Sequence, residues 1–475
     1  MSGPADDLAA PDIGPPSATV ATTPAAPTTA EQTGNAAVDL GGVTTTERFF
    51  RQWDRPGQPL AIRVRMHLSG AASARFQRDH LAAAFAAAVN RHPMLQATLV
   101  DGNWQPAEPP ILQFDRPPAL PQLSLATEPG LSAVARETAT ATESAATIDI
   151  DFHHVATDGQ GARQFLLDWF ADYTARCEGR NAKLVRLEPE RLADRGTLTN
   201  PPGVAPPSLG EGLSNLWTTV RGRTVRLPRS TETRRIGLQH AELLLSADET
   251  AAVRQRMRTD SVTANDLGVA LTLAVCAELM VSRRGWLTIA NPVDLRKPSD
   301  RRLPACNRLG FAFVRRPVAA VAAATLDKLL PAVQEQMRYV KDGYIGAEFI
   351  RGLDLVQPLG LVGLMRRAGW FVPTAQFTCL GDTTRGTRHG FTRETDGSLR
   401  FGDFRLDAIS GFAPLGPGVP LSFGQCETAA RMTFTAVTDG IDADDALARL
   451  RQHLDHWVAA SPVDATTAAD SPPRA

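Results

Sequence analysis

One stretch narrows the choice of fold more than any other. Ile148-Asp-Ile-Asp-Phe-His-His-Val-Ala-Thr-Asp-Gly159 alternates apolar and polar residues and then reaches a turn. Successive side chains of a strand point to opposite faces. Ile148, Ile150, Phe152 and His154 are therefore expected on one face, and Asp149, Asp151 and His153 on the other. Beyond the turn, Gln160 to Cys177 places Phe165, Leu166, Trp169, Phe170 and Tyr173 at helical spacing, a core-packing stripe. A strand buried on one face that feeds an amphipathic helix implies a sheet covered by helices, an α/β or α+β class. Thr157 or Asp158 is placed to cap that helix. Gly159 removes a side chain beside the turn and permits close approach of a ligand or of backbone.

The same reading extends along the chain. Strands are expected over 60–68, 94–100, 147–154, 237–245, 286–291, 309–315, 375–380, 406–412, 418–426 and 431–437. Helices are expected over 73–90, stopped by His92-Pro93, and over 442–458. Two more follow Ser246-Ala-Asp-Glu249, a capping-box pattern, and Thr263-Ala-Asn-Asp266. Asp101-Gly102-Asn103 reads as a hairpin turn and the Pro-rich 106–121 as loop.

A chain of 475 residues exceeds one ordinary core and suits two domains of about 200 residues each. Residues 1–43 hold Ala, Pro, Thr, Ser and Gly with almost no large apolar side chains. Such a segment cannot bury enough surface to offset its ordering entropy, so a disordered tail is expected there and at 461–475. Between the tails we expect an N-terminal lobe over 44–197, a Pro/Gly-rich crossover linker over 198–235 and a C-terminal lobe over 236–460.

Charge and cysteines bound the function classes. The 50 Lys and Arg nearly cancel the 51 Asp and Glu, so the whole chain has no field that would draw nucleic acid or an anionic membrane. Its five cysteines are scattered and form no CxxC pair, which argues against a disulfide framework and a zinc site and fits a reducing cytoplasm. No signal-peptide pattern and no run of about 18 apolar residues stands out, so no integral membrane segment is expected. His153 and His154 face opposite sides of a strand, which makes one metal ion hard to reach with both.

His153-His154-Val-Ala-Thr-Asp158-Gly159 matches the HHxxxDG signature, and the chain resembles the condensation-domain and chloramphenicol acetyltransferase-like superfamily of thioester-dependent acyltransferases. Weaker resemblances support it. Arg91-His92-Pro93-Met94-Leu95 looks like the family's RHPxL, and Thr263-Ala-Asn-Asp266 like the TxND helix of wax-ester-synthase-like and alcohol acetyltransferase members. Asn291-Pro-Val-Asp-Leu-Arg296 resembles their PVxLR strand end, and Asn307 sits where several members have Gly-Asn. The resemblance spans roughly Thr44 to Ala460. It implies two lobes, each a mixed sheet with helices, and a tunnel between them. His154 would be the general base that deprotonates a small-molecule hydroxyl or amine, which then attacks an acyl thioester. Asp158 would form an ion pair that fixes the catalytic loop, with Arg296 as candidate partner. Thr378, in Gln376-Phe-Thr-Cys-Leu-Gly381, stands where the family supplies a hydroxyl. No permanent cofactor is implied; the co-substrate would be acyl-CoA or an acyl group on a carrier protein. The other readings are a non-catalytic binding module of the same fold and an epimerisation or cyclisation variant.

Overall fold

The computed structural model describes residues 38–460, apart from 56–57, 59, 118, 121, 141, 199–223, 233–236, 368–371, 385–390 and 396–397. The expected tails at 1–43 and 461–475 and the linker at 198–235 fall largely outside the described residues. The first boundary needs correction. Leu40 is buried, and the Leu40 and Gly42 carbonyls accept hydrogen bonds from Arg195, so the packed body begins before Thr44.

In chain order the strands are β1 (Ala61–Ala71), β2 (Ala97–Val100), β3 (Asn103–Pro106), β4 (Gln113–Phe114), β5 (Leu131–Ala139), β6 (Glu143–His153) and β7 (Leu238–Leu244). They continue as β8 (Trp286–Asp294), β9 (Leu309–Pro317), β10 (Ala375–Asp382), β11 (Leu399–Phe401), β12 (Phe404–Phe412), β13 (Leu421–Glu427) and β14 (Met432–Asp439). The first helices are α1 (Thr45–Arg51), α2 (Arg78–Arg91), α3 (Gly159–Cys177), α4 (Ala247–Thr259) and α5 (Ala264–Leu279). The others are α6 (Val318–Ala322), α7 (Leu326–Asp342), α8 (Ile345–Val356), α9 (Leu361–Arg367) and α10 (Ala443–Ala459).

Two mixed sheets organise these elements. The first runs β11-β12-β1-β6-β5-β4 and the second β7-β14-β13-β10-β8-β9. On the first, Ile148, Ile150 and Phe152 of β6 are fully buried under α2 and α3. Phe165 sets its ring edge-on against Phe152 at 5.7 Å and Phe85 at 5.8 Å, and Trp169 lies 5.0 Å from Phe85. Burying each such side chain contributes about 1.5–3 kcal/mol. The second sheet packs on α5, which is buried around nearly its whole circumference, as a helix apolar on all sides must be. Gly268 makes that possible, since a Cβ there would fall inside the Phe377 ring. Both expected capping boxes are formed, by Ser246 with Glu249 and by Thr263 with Asp266.

Strands 399–401 and 404–412, placed in the C-terminal lobe by chain position, join the first sheet. β12 pairs with β1 and also crosses the face of the second sheet. Thr433 and Thr435 of β14 donate to the Ile409 and Gly411 carbonyls of β12 at 2.7 and 2.6 Å. The two sheets therefore share a seam, and the C-terminal half completes the N-terminal sheet. Two smaller differences have local causes. Residues 94–96, expected to open the strand 94–100, belong instead to a 3-10 turn over Pro93–Gln96, because Pro93 fixes the helical φ. Strand β5 has no counterpart among the expected elements. Its buried face includes Ala133 and Ala135, which carry little strand preference.

Candidate active site

Strand β6 ends at His153, one residue before the alternation implies. The N–H groups of Ala156 and Thr157 both turn back onto the His153 carbonyl, at 2.9 and 3.3 Å. His154 therefore leaves the apolar row of Ile148, Ile150 and Phe152. Its own N–H donates to the Leu60 carbonyl at 2.7 Å. Its ring stacks on Phe50 of α1, centroids 4.2 Å apart with 29° between planes.

The hydrogen bonds fix the two histidines in opposite tautomers. His154 Nδ1 lies 3.1 Å from the Thr157 carbonyl, which can only accept. Nδ1 must then carry the proton, and Nε2 keeps its lone pair. Among the described residues no group hydrogen-bonds that Nε2. His153 is the reverse: its Nδ1 accepts from the Val155 N–H at 3.3 Å, and its Nε2 faces the Asp54 carboxylate at 3.2 Å. His153 thus closes the turn electrostatically, rather than by packing alone. Burial pulls the His154 pKa down from 6.5 to about 4, against the opposing pull of the Asp158 charge. The imidazole is accordingly neutral near pH 7, the state a base requires.

Asp158 caps α3 and is saturated. Its Oδ1 accepts from the Gly161 N–H at 2.9 Å. Its Oδ2 accepts from the Arg308 N–H at 2.7 Å and Arg296 Nη1 at 2.8 Å. Burial works to raise its pKa, but the Arg296 guanidinium and these hydrogen bonds outweigh it and hold the carboxyl below its ordinary value. Arg296 in turn donates to the Cys306 carbonyl at 2.7 Å and pairs with Asp294 at 3.0 Å. Asn307 donates to the His154 and Val155 carbonyls at 2.7 and 2.8 Å. Segment 306–308, from the half of the chain that builds the second sheet, thereby grips the His154 loop at three points.

Gly159 has a steric reason. A Cβ there would stand 2.5 Å from Leu380 Cδ2 of β10. Thr378, two residues before Leu380, is half-buried, and its partner Gly424 in β13 faces the same Gly411 that Leu380 faces, which puts both on one side of β10 despite the register shift between Cys379 and Gly381. At the other end of that row, Gln376 accepts from the Gly416 N–H at 3.2 Å, and a Cβ on Gly416 would lie 3.0 Å from the Trp53 ring. Thr378 thus stands midway between a residue beside Trp53 and one against Gly159. The Asn265–Asn291 amide pair holds this part of β10, with Asn291 donating to the Phe377 carbonyl at 3.0 Å.

The residue types singled out in the sequence do not include the support of α1. Glu47 and Arg195 form a fully buried bidentate pair, 2.7 Å on each arm. Trp104 Nε1 and the Thr44 N–H also donate to Glu47, at 3.2 and 2.9 Å. This anchors the helix that carries Phe50. Phe49, Trp53, Phe311 and Phe349 continue the aromatic wall beside it, with Trp53 4.4 Å from Phe49 and 5.9 Å from Phe50. Thr44-Thr-Thr-Glu47 is itself a capping-box pattern, the one local signal for α1.

No family model matches this chain, and no curated protein matches it. Solved structures do. The first condensation domain of the calcium-dependent antibiotic synthetase aligns over 88% of this chain and 96% of its own, with 15% identity and a TM-score of 0.63. Trichothecene 15-O-acetyltransferase from Fusarium sporotrichioides aligns over 88% and 93%, with 14% identity and a TM-score of 0.60. The starter condensation domain of rhizomide synthetase, solved with C8-CoA and Leu-SNAC, aligns over 88% and 93%, with 13% identity and a TM-score of 0.56. This chain therefore shares the fold of these condensation-domain and acetyltransferase structures.

Proposed function

We propose that the protein is an acyltransferase that moves an acyl group from a thioester to a hydroxyl or amine, with His154 as general base. The observation that carries the reading is the tautomer. The Thr157 carbonyl accepts a hydrogen bond from Nδ1–H, so Nε2, with its free lone pair, is the atom offered to an acceptor. Nε2 removes the acceptor proton as its oxygen or nitrogen bonds to the thioester carbon. The tetrahedral oxyanion then collapses, the C–S bond breaks, and the imidazolium returns its proton to the leaving thiolate. A base of pKa about 4 cannot deprotonate an alcohol in advance. Proton transfer must accompany bond formation, and the imidazolium formed gains from the nearby Asp158 charge. Thr378 is our candidate hydroxyl donor to the oxyanion, on the geometry of the Gln376–Leu380 row. Asp158, Arg296, Asn307 and Gly159 act by positioning.

A thioester donor is supported by the structural neighbour seen with C8-CoA. We read the donor as acyl-CoA or an acyl-carrier protein, held with the acceptor in a tunnel between lobes built on the two sheets. The unpaired cysteines fit a reducing cytoplasm. The test is thiol release from acetyl-, octanoyl- and palmitoyl-CoA with panels of alcohols and amines. Acceptor-dependent release is expected, and release by His154→Ala equal to the unaltered protein would refute the assignment.

A further inference from the structure

Arg91-His92-Pro93 takes no part in the proposed acyl transfer, yet His92 is fully buried at the end of α2. Its Nδ1 accepts from the Ala305 N–H at 2.9 Å, across 213 positions of chain. Phe165 sets its ring edge-on against the imidazole at 5.7 Å. Its Nε2 lies 3.3 Å from Asp168 Oδ2, off the line that a full hydrogen bond needs. Arg91 Nε binds the same Asp168 oxygen at 2.8 Å. Asp168 and Arg91 are thus the charges facing the ring, and burial holds its pKa below 6.5 against the pull of Asp168. His92 is therefore neutral near pH 7, with its proton on Nε2 and its lone pair on Nδ1. A buried N–H without a full partner costs stability, so packing alone gives no reason for an imidazole here. The bond to Ala305 does.

Ala305 opens the segment that clamps the His154 loop. Cys306 lies against the start of α3, where a Cβ on Gly161 would stand 3.0 Å from its nitrogen and 3.1 Å from its carbonyl oxygen. Asn307 then donates to the His154 and Val155 carbonyls, and the Arg308 N–H donates to Asp158. The far end of the segment is tied separately. Arg308 Nη1 donates to the Arg195 carbonyl at 3.0 Å, and Nη2 pairs with Asp300 at 3.3 Å. Held at both ends, the segment keeps Asn307 in register with the loop; released at Ala305, it can shift.

We propose that His92 is a positioning residue for His154, acting through Ala305 and Asn307. That the ring so placed is a general base rests on the acyltransferase reading; the placement itself does not.

Two substitutions separate the roles of the two nitrogens. H92N keeps an acceptor where Nδ1 stands. H92Q keeps a donor where Nε2 stands and loses the acceptor. In the full chain, H92Q should lower kcat about tenfold or more with KM within about twofold, because a base misplaced by about 1 Å loses rate rather than binding. H92N should stay within about threefold of the unaltered protein in kcat. Nitrogen NMR of isotope-labelled histidine reads the same effect without turnover. In the unaltered protein the unprotonated nitrogen of His92 should be Nδ1. His154 is faced by Asp158 and His153, and burial holds its pKa at about 4. H92Q should raise that pKa toward 6.5 by admitting water to the loosened loop, and H92N should not. N307A should raise it too, and H92Q/N307A should go no further than N307A alone. A His92 protonated on Nδ1 overturns the proposal even if neither variant folds. So do equal effects of H92N and H92Q on the His154 titration, which would make His92 a purely structural residue. If the titrations move as expected while the unaltered protein releases no thiol, the acyltransferase reading fails and the positioning role stands.

Discussion

At the scale of single residues the account turns on His154. His154→Ala should lower turnover on the order of 10² to 10⁴-fold, the usual effect of losing a general base, while the melting temperature changes little. Its pH dependence should be distinctive. Protonation removes the base, so activity falls as pH drops through the His154 pKa, and burial has moved that pKa down to about 4 from 6.5. kcat/KM should therefore hold its plateau at pH 5.5, where an ordinary histidine would already be mostly protonated. An acid limb centred near 6.5 would show that His154 is not desolvated in the working enzyme. Asp158 and Arg296 should behave as one unit. Breaking a buried pair by removing one partner costs about 3–5 kcal/mol. Asp158→Ala and Arg296→Ala should each destabilise strongly, and the double variant should be less destabilised than their sum. Additive melting shifts would contradict the 2.8 Å contact. Much of this is legible in the sequence. The spacing from His153 to Gly159 marks the turn, and a lone carboxylate at a helix cap asks for a cation. What the alternation misses is the direction of His154, because the hydrogen bonds that end the strand at His153 leave no trace in polarity.

At the scale of elements, α1 supports the His154 ring, and the Glu47–Arg195 pair fixes α1. Arg195→Met should lose about 3–5 kcal/mol, since Glu47 would remain buried and uncompensated. It should also slow turnover through Phe50, and a double variant with Glu47→Leu should recover part of the stability. A chain starting at Thr44 should melt lower than one starting at residue 38, because it lacks the Leu40 and Gly42 carbonyls that Arg195 binds. Equal melting temperatures would mean that residues 38–43 contribute nothing. Long, strongly patterned elements are readable in advance, as β6, α3 and the capped helices α4 and α5 show. Others are not. Strand β5 alternates through alanine, and α7 carries Pro331 inside it, a residue that reads as a helix breaker. The partner of Glu47 lies 148 positions away, and no local pattern links them.

For the whole molecule, the seam between the sheets matters most. β12 gives β1 its second neighbour beside β6, and β14 holds β12 through Thr433 and Thr435. Arg65 and His67 of β1 reach Glu242 of β7 at 3.2 and 3.1 Å, a second bridge between the sheets. Residues 38–197 expressed alone would expose β1 as an open edge, so they should aggregate or fail to fold cooperatively. A soluble, cooperatively melting fragment would show that the seam is dispensable. The sheet that each late strand joins is the part of the fold least visible in sequence, because alternation reports a strand and not its neighbour. The central claim, acyl transfer with His154 Nε2 as base, is tested most directly by one comparison: the acceptor-dependent rate of thiol release from octanoyl-CoA by the unaltered protein and by His154→Ala, both folded to the same melting temperature. A loss on the order of 10² to 10⁴-fold is the expected result. A variant rate within a few-fold of the unaltered protein would contradict it.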